Sequence, residues 1–245
     1  MAQKRISKRS DGRSPEQIRP VKIKTGVNRY AEGSCLIEMG HTRVLCLASC
    51  GEDLPEWRKS QGLGWVTAEY AMIPRATHTR SERESVKGKV KGRTQEISRL
   101  VGRALRSVVD FRQLGPRTVT VDCEVLQADG GTRCAAITGA YVALHLACKK
   151  LQAQGLLKKF PLRDFVAAIS VGMVQNKILL DLAYEEDSQA DVDMNVVMVG
   201  EGQFVEIQGT AENRPFSPAQ AQKMLKSAGR GIQDLVAIQK KVLKK

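Results

Sequence analysis

The run Gln127-Ala128-Asp129-Gly130-Gly131-Thr132-Arg133 joins residue types that can hold an anion. Two glycines let the backbone approach a ligand closely. Thr132 supplies a hydroxyl donor, and the Arg133 fork can grip two oxygens of a phosphate. A second group lies between positions 181 and 193, where Asp181, Glu185, Glu186, Asp187, Asp191 and Asp193 occur with no Lys or Arg among them. Such crowding of like charge is costly unless a cation or solvent relieves it. Two carboxylates on rigid elements can bind Mg2+, which takes oxygen ligands and keeps several waters, or one can stay protonated as a general acid. Asp187 and Asp193 are the candidates for both roles, whereas Glu185-Glu186 reads as a solvent-facing turn. The third group is basic. Arg75, Arg80, Arg83, Lys87, Lys89, Lys91 and Arg93 face only Glu82 and Glu84 in the same stretch. A segment of this kind stays solvated or orders on a polyanion through phosphate contacts. Arg93 opens the next helical run, where its guanidinium either shares a phosphate with Thr132 and Arg133 or forms a structural salt bridge.

These residues need elements to position them. Strand-like runs occur at Cys35–Glu38, Thr42–Ser49 and Trp65–Met72, and a longer one at Thr118–Leu126 feeds the glycine turn. Ile97, Leu100, Val101, Ala104, Leu105 and Val108 recur at helical spacing. An apolar-periodic run from Ile137 to Leu151 predicts a helix after the glycine turn, whose N-terminus would favour an anion. In the second half, Phe165–Val174 and Lys177–Tyr184 read as a strand pair turned at Gln175-Asn176. Val192–Val199 and Phe204–Gln208 read as another, turned at Gly200-Glu201-Gly202. Alternation along Val192–Val199 sends Asp193 and Asn195 to one face and Val192, Met194 and Val196 to the core. Ser217-Pro218-Ala219-Gln220 has the form of a capped helix start, and the final helix runs through Met224 to Val242. Strands and helices mixed in this order predict an α+β fold.

The chain has 245 residues, enough for one large domain or two intimate halves. Its 39 Lys and Arg against 26 Asp and Glu give a formal net charge of +13. That excess favours a polyanionic partner, nucleic acid before membrane. No segment approaches the roughly 20 apolar residues of a membrane span. The basic arm from Met1 to Lys24 lacks the apolar stretch of a secretory signal. The six cysteines lie in apolar runs and read as small core thiols, which predicts a reducing, cytoplasmic setting.

Several longer segments resemble the bacterial ribonuclease PH family: Arg75-Ala76-Thr77-His78-Thr79-Arg80, Gly92 to Ile97, Leu126 to Arg133, Ile137-Thr138-Gly139-Ala140, Glu185-Glu186-Asp187-Ser188, Val192 to Asn195, and Glu206 to Glu212. The resemblance runs from about Arg13 to Gln239. It implies one catalytic domain over residues 1–245, with halves near 13–150 and 151–245. The implied fold is the ribosomal-protein-S5-like ββαβα core with mixed sheets and packed helices. It implies a phosphate-dependent 3′→5′ exoribonuclease that trims tRNA precursors and other RNAs, releases nucleoside diphosphates, and adds nucleotides in reverse. Carried over by position, Arg93, Gly131, Thr132 and Arg133 match the family's phosphate site. Asp187 and Asp193 match its acid and Mg2+ carboxylates, Arg99 an RNA-path residue, and Arg75, Arg80 and Arg83 a loop that grips the tRNA body. A hexameric ring, a trimer of dimers, is implied too. Three positions depart from the usual pattern. Cys134 stands where the family has Thr or Ser, Ala183 where it has Asp or Asn, and Glu124 where it has Asp.

Rival readings separate on residue content. Polynucleotide phosphorylase carries two such cores plus RNA-binding modules, which 245 residues do not accommodate. A non-catalytic RNA-binding ring subunit of an exosome-like assembly would tend to lose phosphate or metal residues. A ribosome-associated structural protein would explain the charge but not the acidic cluster.

Overall fold

The computed structural model describes residues 9–244, so the first eight residues of the basic arm lie outside the described chain. In chain order the elements are β1 (Val21–Thr25), β2 (Gly33–Met39), β3 (Thr42–Gly51), α1 (Glu56–Lys59), β4 (Trp65–Met72), α2 (Gly92–Arg106), α3 (Phe111–Leu114) and β5 (Thr118–Gln127). They continue as α4 (Thr132–Ala153), β6 (Val166–Val174), β7 (Lys177–Leu180), α5 (Tyr184–Asp187), β8 (Val192–Val199), β9 (Phe204–Ala211) and α6 (Pro218–Leu243). A 3-10 turn, Glu84–Lys87, interrupts the basic loop.

Two sheets form, in the orders β1-β2-β3-β5-β4 and β7-β6-β8-β9. The first is mixed, because β4 runs parallel to β5 while the other pairs are antiparallel. The second is antiparallel throughout. Helix α4 lies between them, touching β2, β3 and β5 on one side and β6 on the other. A helix covered on two sides cannot keep a narrow apolar stripe, and α4 is accordingly buried nearly all round, from Thr132 to Leu151. The amphipathic α2 needs only one covered face and packs Ile97, Leu100, Val101, Ala104 and Leu105 against β4. Helix α6 backs the second sheet, and its expected cap is present. Ser217 Oγ accepts from Gln220 N, and Gln220 Oε1 accepts from Ser217 N.

The α+β expectation and most strand positions agree with this architecture, with three differences. The helix after the glycine turn begins at Thr132, five positions before the periodic apolar run starts, because Gly131 caps it. The strand expected over Lys177–Tyr184 stops at Leu180. Asp181 there turns left-handed (φ 53°), and Tyr184–Asp187 coils into α5. Part of the basic arm forms β1, whose exposed alternate positions are lysines. All six cysteines are free thiols, five buried and Cys50 half-buried. Among the described residues, no helix is long and apolar enough to cross a membrane.

Candidate active site

The glycine turn sits where β5 ends and α4 begins. Gly130 and Gly131 both have positive φ (73° and 64°), a region that side chains with a Cβ rarely enter. Close packing adds a second requirement for glycine. A Cβ on Gly130 would lie 2.7 Å from the Leu182 carbonyl oxygen, and one on Gly131 would lie 2.9 Å from Arg19 Nη2. The glycines thus bring the turn hard against the protein's own 182–184 segment and Arg19. Thr42 fixes it further, its hydroxyl accepting from Asp129 N (2.9 Å) and donating to the Gly130 carbonyl (2.7 Å). The unpaired N–H groups of the first turn of α4 and the positive end of its dipole then meet at one point.

A cleft of about 520 Å³ opens over this point, lined by Arg93, Gly131, Thr132, Arg133, Asp187 and Asp193 among others. Residues from three separate stretches of sequence therefore converge. Arg93 is exposed in the first turn of α2. The Arg133 guanidinium is held by Gln208 Oε1 at 2.9 Å, while Gln208 Nε2 donates to Glu96. Thr132 is buried, and its hydroxyl pairs with Tyr70 Oη at 2.8 Å.

The carboxyl groups form the opposite wall. Asp193 projects from β8 toward the cleft with Asn195, as alternation requires, and Asn195 Nδ2 donates to Asp193 Oδ2 at 3.3 Å. Asp193 Oδ1 is buried with no hydrogen-bond partner. Burial, then the nearby Asp187 charge, pushes the Asp193 carboxyl up to about 6. Asp187 is raised chiefly by burial, against the lowering pull of Arg93 and Arg133. Cys134 takes the place of the expected hydroxyl as a donor, its thiol reaching Asn195 Oδ1 at 3.2 Å. Asp187 and Asp193 suit a divalent cation that keeps most of its waters. The orphaned oxygen and the mutual repulsion are both relieved by such an ion, and two oxygen ligands are typical of Mg2+ sites. No cluster of three or more ligating side chains occurs among the described residues.

Arg75, Arg80, Arg83 and Arg99 are not among the residues lining this cleft, and all four are exposed. The loop carrying the first three is anchored near each end, Glu84 accepting from Lys91 N and Thr94 Oγ1. Ala76 is buried, and its carbonyl accepts from Ala128 N at 2.9 Å, directly before the glycine turn. The expectation of a solvent-facing Glu185-Glu186 turn holds for Glu185 and fails for Glu186. Glu186 is buried and bidentate with Arg9 at 2.7 Å to each carboxylate oxygen, so its charge is balanced from the N-terminal arm. Tyr70, Ser170, His78 and Tyr184 also line or support the site. His78 lies within the Arg75–Arg80 motif, whereas no motif marks Tyr70, Ser170 or Tyr184.

A model of the 3′ exoribonuclease family, domain 1, matches residues 17–150, and its domain 2 matches residues 164–231. The chain is 56% identical over 235 residues to ribonuclease PH of Syntrophomonas wolfei, covering 96% of this chain and 98% of that protein. Among solved structures it is similar to rice (Oryza sativa) Rrp46, with a TM-score of 0.79 at 19% identity over 97% of this chain and 100% of that one. It is also similar to the Archaeoglobus fulgidus exosome with RNA bound to the active site, with a TM-score of 0.78 at 23% identity over 94% and 92%. Those two structural likenesses speak to the fold. With two family models spanning most of its length and a relative at 56% identity, the chain belongs to the ribonuclease PH family of 3′ exoribonucleases.

Proposed function

We infer that the protein is a phosphate-dependent 3′→5′ exoribonuclease. Inorganic phosphate attacks the last phosphodiester of an RNA. The terminal residue leaves as a nucleoside diphosphate, and the shortened chain keeps a 3′ hydroxyl. One observation carries this reading: a single cleft sets Arg93, Thr132, Arg133 and the N-terminus of α4 against two carboxyl groups, Asp187 and Asp193. The name of the 56%-identical relative supports the same chemistry.

Phosphoryl transfer needs positioning and charge stabilisation more than covalent catalysis. Arg93, Arg133 and the α4 N–H groups hold the attacking phosphate and spread the charge of the transition state, while Thr132 adds a neutral donor. The departing 3′ oxygen needs a proton, which one carboxyl of the Asp187–Asp193 pair donates, burial raising both from their ordinary values. Mg2+, when bound, would be held by Asp187 and Asp193 and would neutralise charge on the reacting phosphates.

The exposed Arg75, Arg80 and Arg83 suit the body of a structured RNA such as a tRNA precursor, and Arg99 the path of its 3′ tail. A hexameric ring in the cytoplasm completes the reading.

The test is an RNA with a single-stranded 3′ tail, incubated with Mg2+ with and without inorganic phosphate. Phosphate-dependent shortening to nucleoside diphosphates is the expected outcome. Monophosphate products without phosphate would mean a hydrolase, and binding without shortening an RNA-binding subunit.

A further inference from the structure

The N-terminal arm from Arg9 to Arg19 crosses beneath both walls of the cleft. Arg19 is buried against Asp181. Its Nη2 lies 2.6 Å from Asp181 Oδ1, and its Nε and backbone N both donate to Oδ2 at 3.0 and 2.7 Å. The remaining guanidinium nitrogen donates to the Asp129 carbonyl at 2.5 Å, so the same side chain holds the turn that cups the anion. Arg9 grips the other wall. Its fork takes both oxygens of Glu186, the neighbour of Asp187, and its other N–H groups reach the carbonyls of Leu180 and Asp181. Arg13 donates to the Asp181 carbonyl at 3.0 Å and lies 3.7 Å from Glu186 Oε2.

Three arginines and two acids, all under 9% exposed, are costly to bury unless each charge is paired in defined geometry. Asp181 adds a left-handed backbone, which a non-glycine residue keeps only where its surroundings enforce it. A chain needing only stability would do as well or better with apolar residues here. The arrangement has a further property. Its hydrogen bonds end on the Asp129 carbonyl, one residue before the glycine pair, and on Glu186, one residue before Asp187. It therefore fixes the distance between the phosphate cradle and the acid-bearing turn.

We propose that Arg9 and Arg19 are positioning residues for phosphorolysis, an ionic clamp that sets the phosphate cradle in register with Asp187. The proposal rests on the phosphorolytic reading above. Neither arginine is among the residues lining the cleft. Each acts through the backbone it holds.

The experiment measures inorganic phosphate affinity by calorimetry on the full-length protein, alongside steady-state kinetics and RNA affinity, for Arg9→Met, Glu186→Gln, Arg19→Lys and Arg19→Ala. A cradle displaced by part of an ångström loses about one to two charge-assisted hydrogen bonds, so phosphate affinity and its KM should weaken about tenfold or more. RNA affinity, carried by exposed arginines elsewhere, should change less than about twofold. Methylguanidinium should restore phosphate affinity to Arg19→Ala but not to wild type. The clamp is overturned if phosphate affinity is unchanged in the folded variants, or if activity falls only in step with the unfolded fraction. Arg9→Met and Glu186→Gln leave Arg19–Asp181 intact and so keep the question open to measurement where Arg19 variants fail to fold. A wild-type protein that binds phosphate without phosphorolysing RNA would refute the functional reading, while the calorimetric comparison would still decide the clamp.

Discussion

Tyr70 on β4 and Thr132 at the start of α4 join their hydroxyls across 62 residues of sequence at 2.8 Å, both buried. Burial raises the Tyr70 phenol, which therefore keeps its proton and can donate it. Where Tyr70 is the donor, the Thr132 hydroxyl can direct its own hydrogen into the cleft. Tyr70→Phe should raise the KM for phosphate by about three- to tenfold, the worth of one neutral hydrogen bond, and leave the KM for RNA unchanged. Initial rates across a phosphate series would check this.

Asp187→Asn and Asp193→Asn remove the proton source and the anionic oxygens while keeping shape. Phosphorolysis should drop by about 10²–10⁴-fold in each, the usual worth of a positioned acid. Binding of RNA, measured by filter retention, should persist. Loss of binding in parallel would instead assign the aspartates a structural role.

The loop arginines are separable from the chemistry, because Arg75, Arg80 and Arg83 are not among the residues lining the cleft. Changing all three to Ala should weaken cleavage of a tRNA precursor while leaving short unstructured RNA nearly unaffected. The dependence of precursor affinity on log salt should flatten by roughly two to three units for three lost phosphate contacts. Equal losses on both substrates would refute the grip.

His145 provides a pH prediction away from the site. It is half-buried on α4, with its ring 4.7 Å from Phe160, and burial lowers it from 6.5 to about 4. The unfolded chain therefore binds a proton between pH 6.5 and 4 that the folded chain refuses. Stability should be full above about 6.5, fall as pH drops through that window, and lose no more to this group below 4. The loss should be on the order of 1–2 kcal/mol, since the ring is partly exposed. Urea melts of wild type and His145→Gln across pH 4–7 would show whether this share of the slope disappears.

Much of the molecule was legible in the chain, and the limit follows from how far apart interacting residues lie. Strands β3, β4 and β5 follow from period-two alternation, and α2 from a one-sided apolar stripe, because each pattern is written within ten to fifteen neighbouring positions. The Ser217 cap is legible for the same reason. Residue types named the chemistry as well: Arg93, Thr132, Arg133, Asp187 and Asp193 carry anion-binding and proton-donating groups wherever they are placed. Only the tertiary structure decided that these five line one cleft, that Tyr70 supports Thr132, and that Glu186 turns inward to Arg9. Glu185 and Glu186 are identical in type and adjacent, so sequence alone gives no means to tell the exposed one from the buried one. The difference is made by an arginine 177 residues away, which becomes a neighbour only when the arm folds under the second sheet.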